Sequence, residues 1–188
     1  MAQWFWYFLI YSFLGCCLEK LYARCIRSPK RVRKCFLLLP LCPVYGLGMT
    51  ALLALWEPGM GPLVLACLGA LVCTGVEYLV HLFYEKTLKV RFWDYTGLPG
   101  SVQGRICPRF AAVWGGLSAF AAVWVQPWVA ALAAAVPPAL SYGMWLLLAA
   151  DCVLTVRVLT WYHDTELLAL FALSARVSSQ SKIGRAHV

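Results

Sequence analysis

Charge is scarce in this chain, and acid is scarcer than base. Asp and Glu number 8 against 16 Lys and Arg, and charged types make up 13% of the 188 residues, about half the share of a soluble domain. With apolar types at 62%, a water-soluble core of this length cannot enclose the surplus. A bundle whose solvent is hydrocarbon has no such need. Nucleotide and hydrolase motifs are missing too. There is no GxxxxGK[ST] phosphate loop, so the chain is not expected to hydrolyse ATP itself, and no GxGxxG, HExxH or GxSxG occurs. None of the nine cysteines forms a CxxC pair, which argues against a disulfide framework and for small packing residues in reduced surroundings. No metal site or cofactor is expected, and neither a direct nor an inverted repeat stands out.

What is present is a series of long apolar runs. They predict an all-α, polytopic transmembrane bundle of about five spans near residues 4–25, 36–56, 63–85, 109–126 and 139–159. Each approaches the roughly 20 residues that cross a bilayer. The first opens on an aromatic belt, Trp4 to Phe8, suited to the membrane interface, and lacks the flanks of a removable signal peptide. Glu57 to Pro62 reads as a tight turn. Pro127 to Pro138 reads as a connector carrying an interfacial Trp128. Residues 1–177 are expected to form one membrane domain, and Leu167 to Ala175 is too short to span. The tail 178–188 stands apart. Ile183 to Val188 is what ATC GGA AGA GCA CAC GTC encodes, a common sequencing-adapter string, so a truncated native C-terminus near Gln180 to Lys182 is expected.

The basic residues sort by loop. Lys20, Arg24, Arg27, Lys30, Arg31, Arg33 and Lys34 flank or fill the first loop, and Lys86, Lys89, Arg91, Arg105 and Arg109 the third. Arg157, Arg176, Lys182 and Arg185 follow the fifth span, and the second and fourth loops hold none. Positive residues favour the cytoplasmic side. The expected topology is therefore N-terminus out and C-terminus in, a multi-pass protein of the plasma membrane whose first partner is the lipid bilayer. This topology accounts for the basicity without a nucleic-acid partner.

Ionisable side chains at membrane depth are functional candidates. Glu19, Glu77 and Asp151 each fall roughly 18–23 Å from the outer end of their helices at 1.5 Å per residue, so they share a depth. They either pair with Lys20, Arg33, Arg105 or Arg157 to fix the bundle, or line a polar pocket open to the cytoplasm. Pro40, Cys42, Pro43, Tyr45 and Gly46 break the second span at a similar depth. That is either a late helix start or backbone lining a cavity. Glu77, His81 and Glu85 share one helical face, a stripe suited to a metal, a proton relay or a packed histidine. In the loop from Lys86 to Pro108, Trp93-Asp94-Tyr95 and the glycines around Arg105 suit a docking surface or interfacial anchoring. Ala111, Gly115 and Ala119, like Ala66 and Ala70, recur every fourth residue, for close helix packing or a homo-oligomer seam.

In order and spacing these residues resemble the CmpB-like, type IV family of bacterial ABC transporter permeases. The matching stretches are Tyr11-Ser12-Phe13-Leu14-Gly15 with Cys17-Leu18-Glu19, Arg33 with Phe36-Leu37, and Pro40 with Cys42-Pro43-Val44-Tyr45-Gly46. Further on they are Glu77-Tyr78, Glu85-Lys86, Trp93-Asp94-Tyr95 and Gly104-Arg105-Ile106-Cys107, so the likeness spans Trp4 to Arg157. The departures are Cys16 in place of tryptophan, Arg33-Lys34-Cys35 in place of Asn-Arg-Gly, and Leu39 and Leu41 around Pro40. The resemblance implies a transport permease working with a separate ATPase, docked through Lys86 to Pro108. Two other classes stay open: a membrane-embedded enzyme on a lipid or other cytoplasmic-leaflet substrate, with Arg33 or Arg105 gripping phosphate, and a non-catalytic scaffold.

Overall fold

Proline fixes φ and has no amide hydrogen to leave unpaired, so it suits the first turn of a helix. In the computed structural model, α2 (Pro43–Leu55), α3 (Pro62–Phe83), α4 (Pro108–Phe120) and α6 (Pro138–Tyr162) all begin on one. α1 (Ala2–Cys25) precedes them, and α5 (Gln126–Ala134) continues α4 through a π turn, Ala121–Val125. A second π turn, Tyr84–Leu88, prolongs α3. The structure describes residues 2–25, 35–57, 59–163 and 165. Among them the architecture is all-helical, and the one extended pairing is an isolated bridge between Val102 and Ile106. Pro62–Leu88, Pro108–Ala134 and Pro138–Tyr162 are long and apolar enough to cross a membrane.

Two expectations are corrected. The segment from Phe36 is not helical: residues 36–40 form an irregular strap and α2 starts only at Pro43. Its 13 residues extend roughly 20 Å, short of the ~30 Å hydrocarbon layer. Protein groups hold the strap and its exit: Leu39 N–H donates to Asp151 Oδ2 at 3.2 Å and Cys42 N–H to the Ser12 carbonyl at 2.9 Å. The connector expected from Pro127 is instead helical to Ala134. The π turn ahead of it lets Gln126 N–H reach the Ala121 carbonyl, and Pro127, lacking an amide, opens α5 rather than breaking the rod.

Small residues set the closest approaches. A Cβ on Gly115 would lie 3.0 Å from that of Ala70 and 2.5 Å from the Ala66 carbonyl, and one on Gly69 would overlap the Ser118 hydroxyl. The alanine and glycine stripes of α3 and α4 thus meet within one chain. Gly46 bears on Ser12 and Phe8 of α1, and Gly15 on the Tyr45 ring. Tyr7, Tyr11, Met49, Leu52, Leu65 and Val129 fill the core between these helices. Phe5, Leu9, Leu37, Leu41 and Leu148 form a second cluster that seats the strap between α1 and α6.

Candidate functional site

Close packing at Gly15 lays the Tyr45 ring against α1, and its hydroxyl donates to Glu19 Oε1 at 2.7 Å. Across the α3–α4 contact, the Trp114 indole N–H reaches Glu77 Oε2 at 2.9 Å, and Tyr95 O–H reaches Oε1 at 2.8 Å. Glu77 is only 3% exposed. A buried carboxylate persists when such donors replace its water. The Tyr45 and Trp114 rings meet edge to face at 5.1 Å, so both carboxylates share one aromatic wall. They border a cavity of about 50 Å³, lined as well by Cys35, Phe36, the first turn of α2, Tyr84, Phe92 and Trp93. That volume holds a few water molecules or a small polar group.

The loop after Leu88 forms the cavity's floor, and it is folded rather than open. Lys89, at φ 58°, ends the α3 rod. Arg105, buried, donates to Glu85 Oε2 through Nε at 3.0 Å and Nη2 at 2.6 Å, and also bonds Tyr78 and Gln103. Arg91 holds the other Glu85 oxygen at 2.5 Å. The Glu85 carboxylate makes the Arg105 guanidinium hold its proton more tightly than usual. Trp93 donates to the Arg105 carbonyl at 3.0 Å, Tyr95 stacks on Phe110 at 4.8 Å, and Tyr95 N–H bonds the Gly104 carbonyl at 2.8 Å. Gly104, at φ 71°, takes a left-handed turn that a side chain would strain. Asp94 Oδ1 accepts Thr96 N–H at 2.8 Å. Hydrogen bonds from the Thr96 side chain and amide hold its carboxyl below the usual range.

Among the residues singled out in the sequence, Glu19, Cys42, Pro43, Tyr45 and Glu77 therefore meet at one cavity. Asp151 does not join them: it is buried on α6 and holds the strap through Leu39. Pro40 is exposed on that strap, Gly46 serves the α1–α2 contact, and Arg105 and Asp94 organise the loop. Arg33 lies outside the described residues. The Glu77, His81, Glu85 stripe does not converge. His81 Nε2 bonds the Trp93 carbonyl at 3.0 Å, while Nδ1 stays 3.9 Å from Glu85. Among the described residues no group of three or more His, Cys, Asp or Glu could hold a metal ion. Trp114 was not legible as a site residue. The one hint was an indole N–H inside an Ala/Gly-rich helix, where a donor needs a partner.

Long apolar helices packed around a buried carboxylate define a membrane protein. More narrowly, the chain belongs to the family described as "Putative ABC-transporter type IV", whose model matches residues 6–156. No curated protein and no solved structure matches it.

Proposed function

We propose that this protein is the permease-like membrane subunit of an ABC-type transporter, multi-pass in the plasma membrane. Its N-terminus is outside, its basic loops inside, and residues 1–177 form one membrane domain. A separate ATPase supplies the energy, because the chain carries no phosphate loop. The observation that carries this reading, beside the family, is the cavity in which Glu19 and Glu77, from different helices, come together above a folded loop. Ionisable groups are retained at such depth where a substrate or ion must pass. The cavity is the binding site. Of the residues expected to form it, Glu19, Cys42, Pro43, Tyr45 and Glu77 do so directly.

The docking surface for the ATPase is the exposed part of the 89–107 loop: Arg91, Asp94, Thr96, Pro99 and Gln103. Its root is locked by Arg105 and Glu85, so force on the tip reaches the cavity through Tyr95. The five helical rods among the described residues are few for a conduit, and a second copy or a second membrane subunit completes it. Affinity purification of the tagged protein from its native membranes tests this. An ATPase carrying a phosphate-loop motif is expected, and replacing Thr96 to Val102 by a Gly/Ser linker releases it. A complex free of any ATPase rejects the proposal.

A further inference from the structure

His81 sits where α3 runs into its π turn, 2% exposed, with one of its ring nitrogens unmatched. Nε2 lies 3.0 Å from the Trp93 carbonyl. A carbonyl only accepts, so Nε2 carries the ring hydrogen and Nδ1 is a bare lone pair. Nδ1 is buried and has no hydrogen-bond partner among the described residues. The ring also meets the Trp93 indole edge to face at 5.1 Å, so Trp93 fixes it by both backbone and side chain. A buried polar atom left in this way is uncommon and calls for a role. The nearest acid suggests one: Glu85 Oε2 stands 3.9 Å from Nδ1. A lone pair and a carboxylate repel, and a proton placed between them turns the two into an ion pair.

We infer that His81 is a proton-binding site whose imidazolium clamps the 89–107 loop to α3, so that the loop responds to pH. Once Nδ1 is protonated, the ring is a cation with two donors. Nδ1–H closes on Glu85, and Nε2–H, now charge-assisted, grips the loop backbone at Trp93 more strongly. Burial opposes the charge, and the charged neighbours set the balance. On its own helix Glu85 faces Nδ1 one turn on, while Glu77, one turn back, accepts from Trp114 and Tyr95. From the loop, Asp94 interacts with His81 through space. Arg91 and Arg105 oppose the proton, but both are paired with Glu85, and Arg91 with Asp94 as well. Lys86 and Lys89 are exposed. Histidine changes charge near neutrality, so the clamp is present in mild acid and lost as pH rises through the imidazole's midpoint. The site needs no ATPase, so its test and that of the transport reading fail separately.

The test uses the full chain in phosphatidylcholine nanodiscs with isotope-labelled histidine, followed by nitrogen NMR. The signal missing from His81→Gln belongs to His81. Its neutral ring is expected to carry hydrogen on Nε2, and Nδ1 to protonate as the pH falls from neutral to mildly acid. Glu85→Gln lowers that midpoint by about one unit. Asp94→Asn, which keeps the acceptor for Thr96, lowers it by less and serves if Glu85→Gln does not fold. Glutamine at position 81 can still donate to the Trp93 carbonyl but cannot take the charge. Amide hydrogen exchange of the loop from Trp93 to Gly104, compared with His81→Gln at the same pH, should therefore be about threefold slower in mild acid than at neutrality. Four results would each overturn the inference: a neutral ring with its hydrogen on Nδ1, an Nδ1 that stays bare until the protein unfolds, a midpoint indifferent to both acid substitutions, or loop exchange in constant ratio to that of His81→Gln.

Discussion

Trp114 of α4 and Glu77 of α3 are joined by an indole-to-carboxylate hydrogen bond of 2.9 Å, directly beside Gly115, which abuts Ala66 and Ala70 of α3. The bond ties a packing interface to the acidic cavity. Trp114→Phe keeps the ring bulk and removes the donor to Glu77 Oε2. A loss of about 1–3 kcal/mol is expected for a buried hydrogen bond to a carboxylate, read from thermal unfolding in detergent. In combination with Tyr95→Phe, which removes the donor to the other oxygen, the effects should be non-additive. Unchanged unfolding in Trp114→Phe would show the bond to be dispensable.

Adjacent glycines on α4 give a sharp comparison. Gly115 abuts Ala66 and Ala70, whereas a side chain on Gly116 would meet nothing within 4 Å. Gly115→Leu should cost more than the ~1–3 kcal/mol typical of overpacking, because backbone rather than a flexible side chain is in the way. It should appear as lost monodisperse yield. Gly116→Leu should purify like the parent protein. Equal yields would mean that α3 and α4 do not meet along this face.

Asp151 fastens the strap, and the strap covers Cys42. With Asp151→Ala the Leu39 amide loses its acceptor, and the strap should lift more often. Maleimide modification of Cys42, which is buried, is expected to quicken several-fold in a variant retaining this cysteine alone. A rate identical to that of the Asp151 parent would place the fastening elsewhere.

Cys35 and Cys42 bracket the same strap with their sulfur atoms 2.7 Å apart. A mild two-electron oxidant should join them, with loss of two hydrogens seen as a mass decrease of about 2 Da, since little backbone movement is needed for bonding geometry. Cys152→Ser should leave the crosslink intact. If Cys35 instead pairs on peptide mapping with a cysteine other than Cys42 or Cys16, which also contacts it, the strap runs differently.

The loop under the cavity should loosen in acid. Because Asp94 is held below the usual carboxylate range by Thr96, its contribution is present above the unfolded pKa. It is lost as pH falls through the lower folded value. Limited proteolysis of the 89–107 loop should stay slow from neutral to mildly acid pH and accelerate only at stronger acidity. In Asp94→Ala that acid-dependent component should shrink, the part carried by Glu85 and its two arginines remaining. Arg105→Lys should speed cleavage at every pH, since an ammonium cannot reproduce the fork held on Glu85.

Much of the fold was written into the chain. The apolar runs announced helices, and the prolines at 62, 108 and 138 announced where three of them begin, because both signals act locally. Pro127 misled for the same reason. A helix-breaking residue reads as a connector until the π turn before it is known, and that turn is a packing outcome. The strap at residues 36–40 is a similar case: its apolar side chains resemble a span, but the amides of Leu39 and of Cys42 just beyond it are partnered by Asp151 and Ser12 from elsewhere in the chain.

Composition and periodicity by themselves determined that this is a helical membrane protein and that acids at Glu19, Glu77 and Asp151 needed a reason to exist. Burial in hydrocarbon is costly wherever the chain goes. Only the tertiary structure decided which acids act together. It sent Asp151 to the strap and brought Glu19 and Glu77 to one cavity, with Trp114 and Tyr95 as partners. Sequence spacing fixes the depth of a residue along its own helix. The side it faces, and the neighbour it meets, depend on where glycine and alanine let the helices touch.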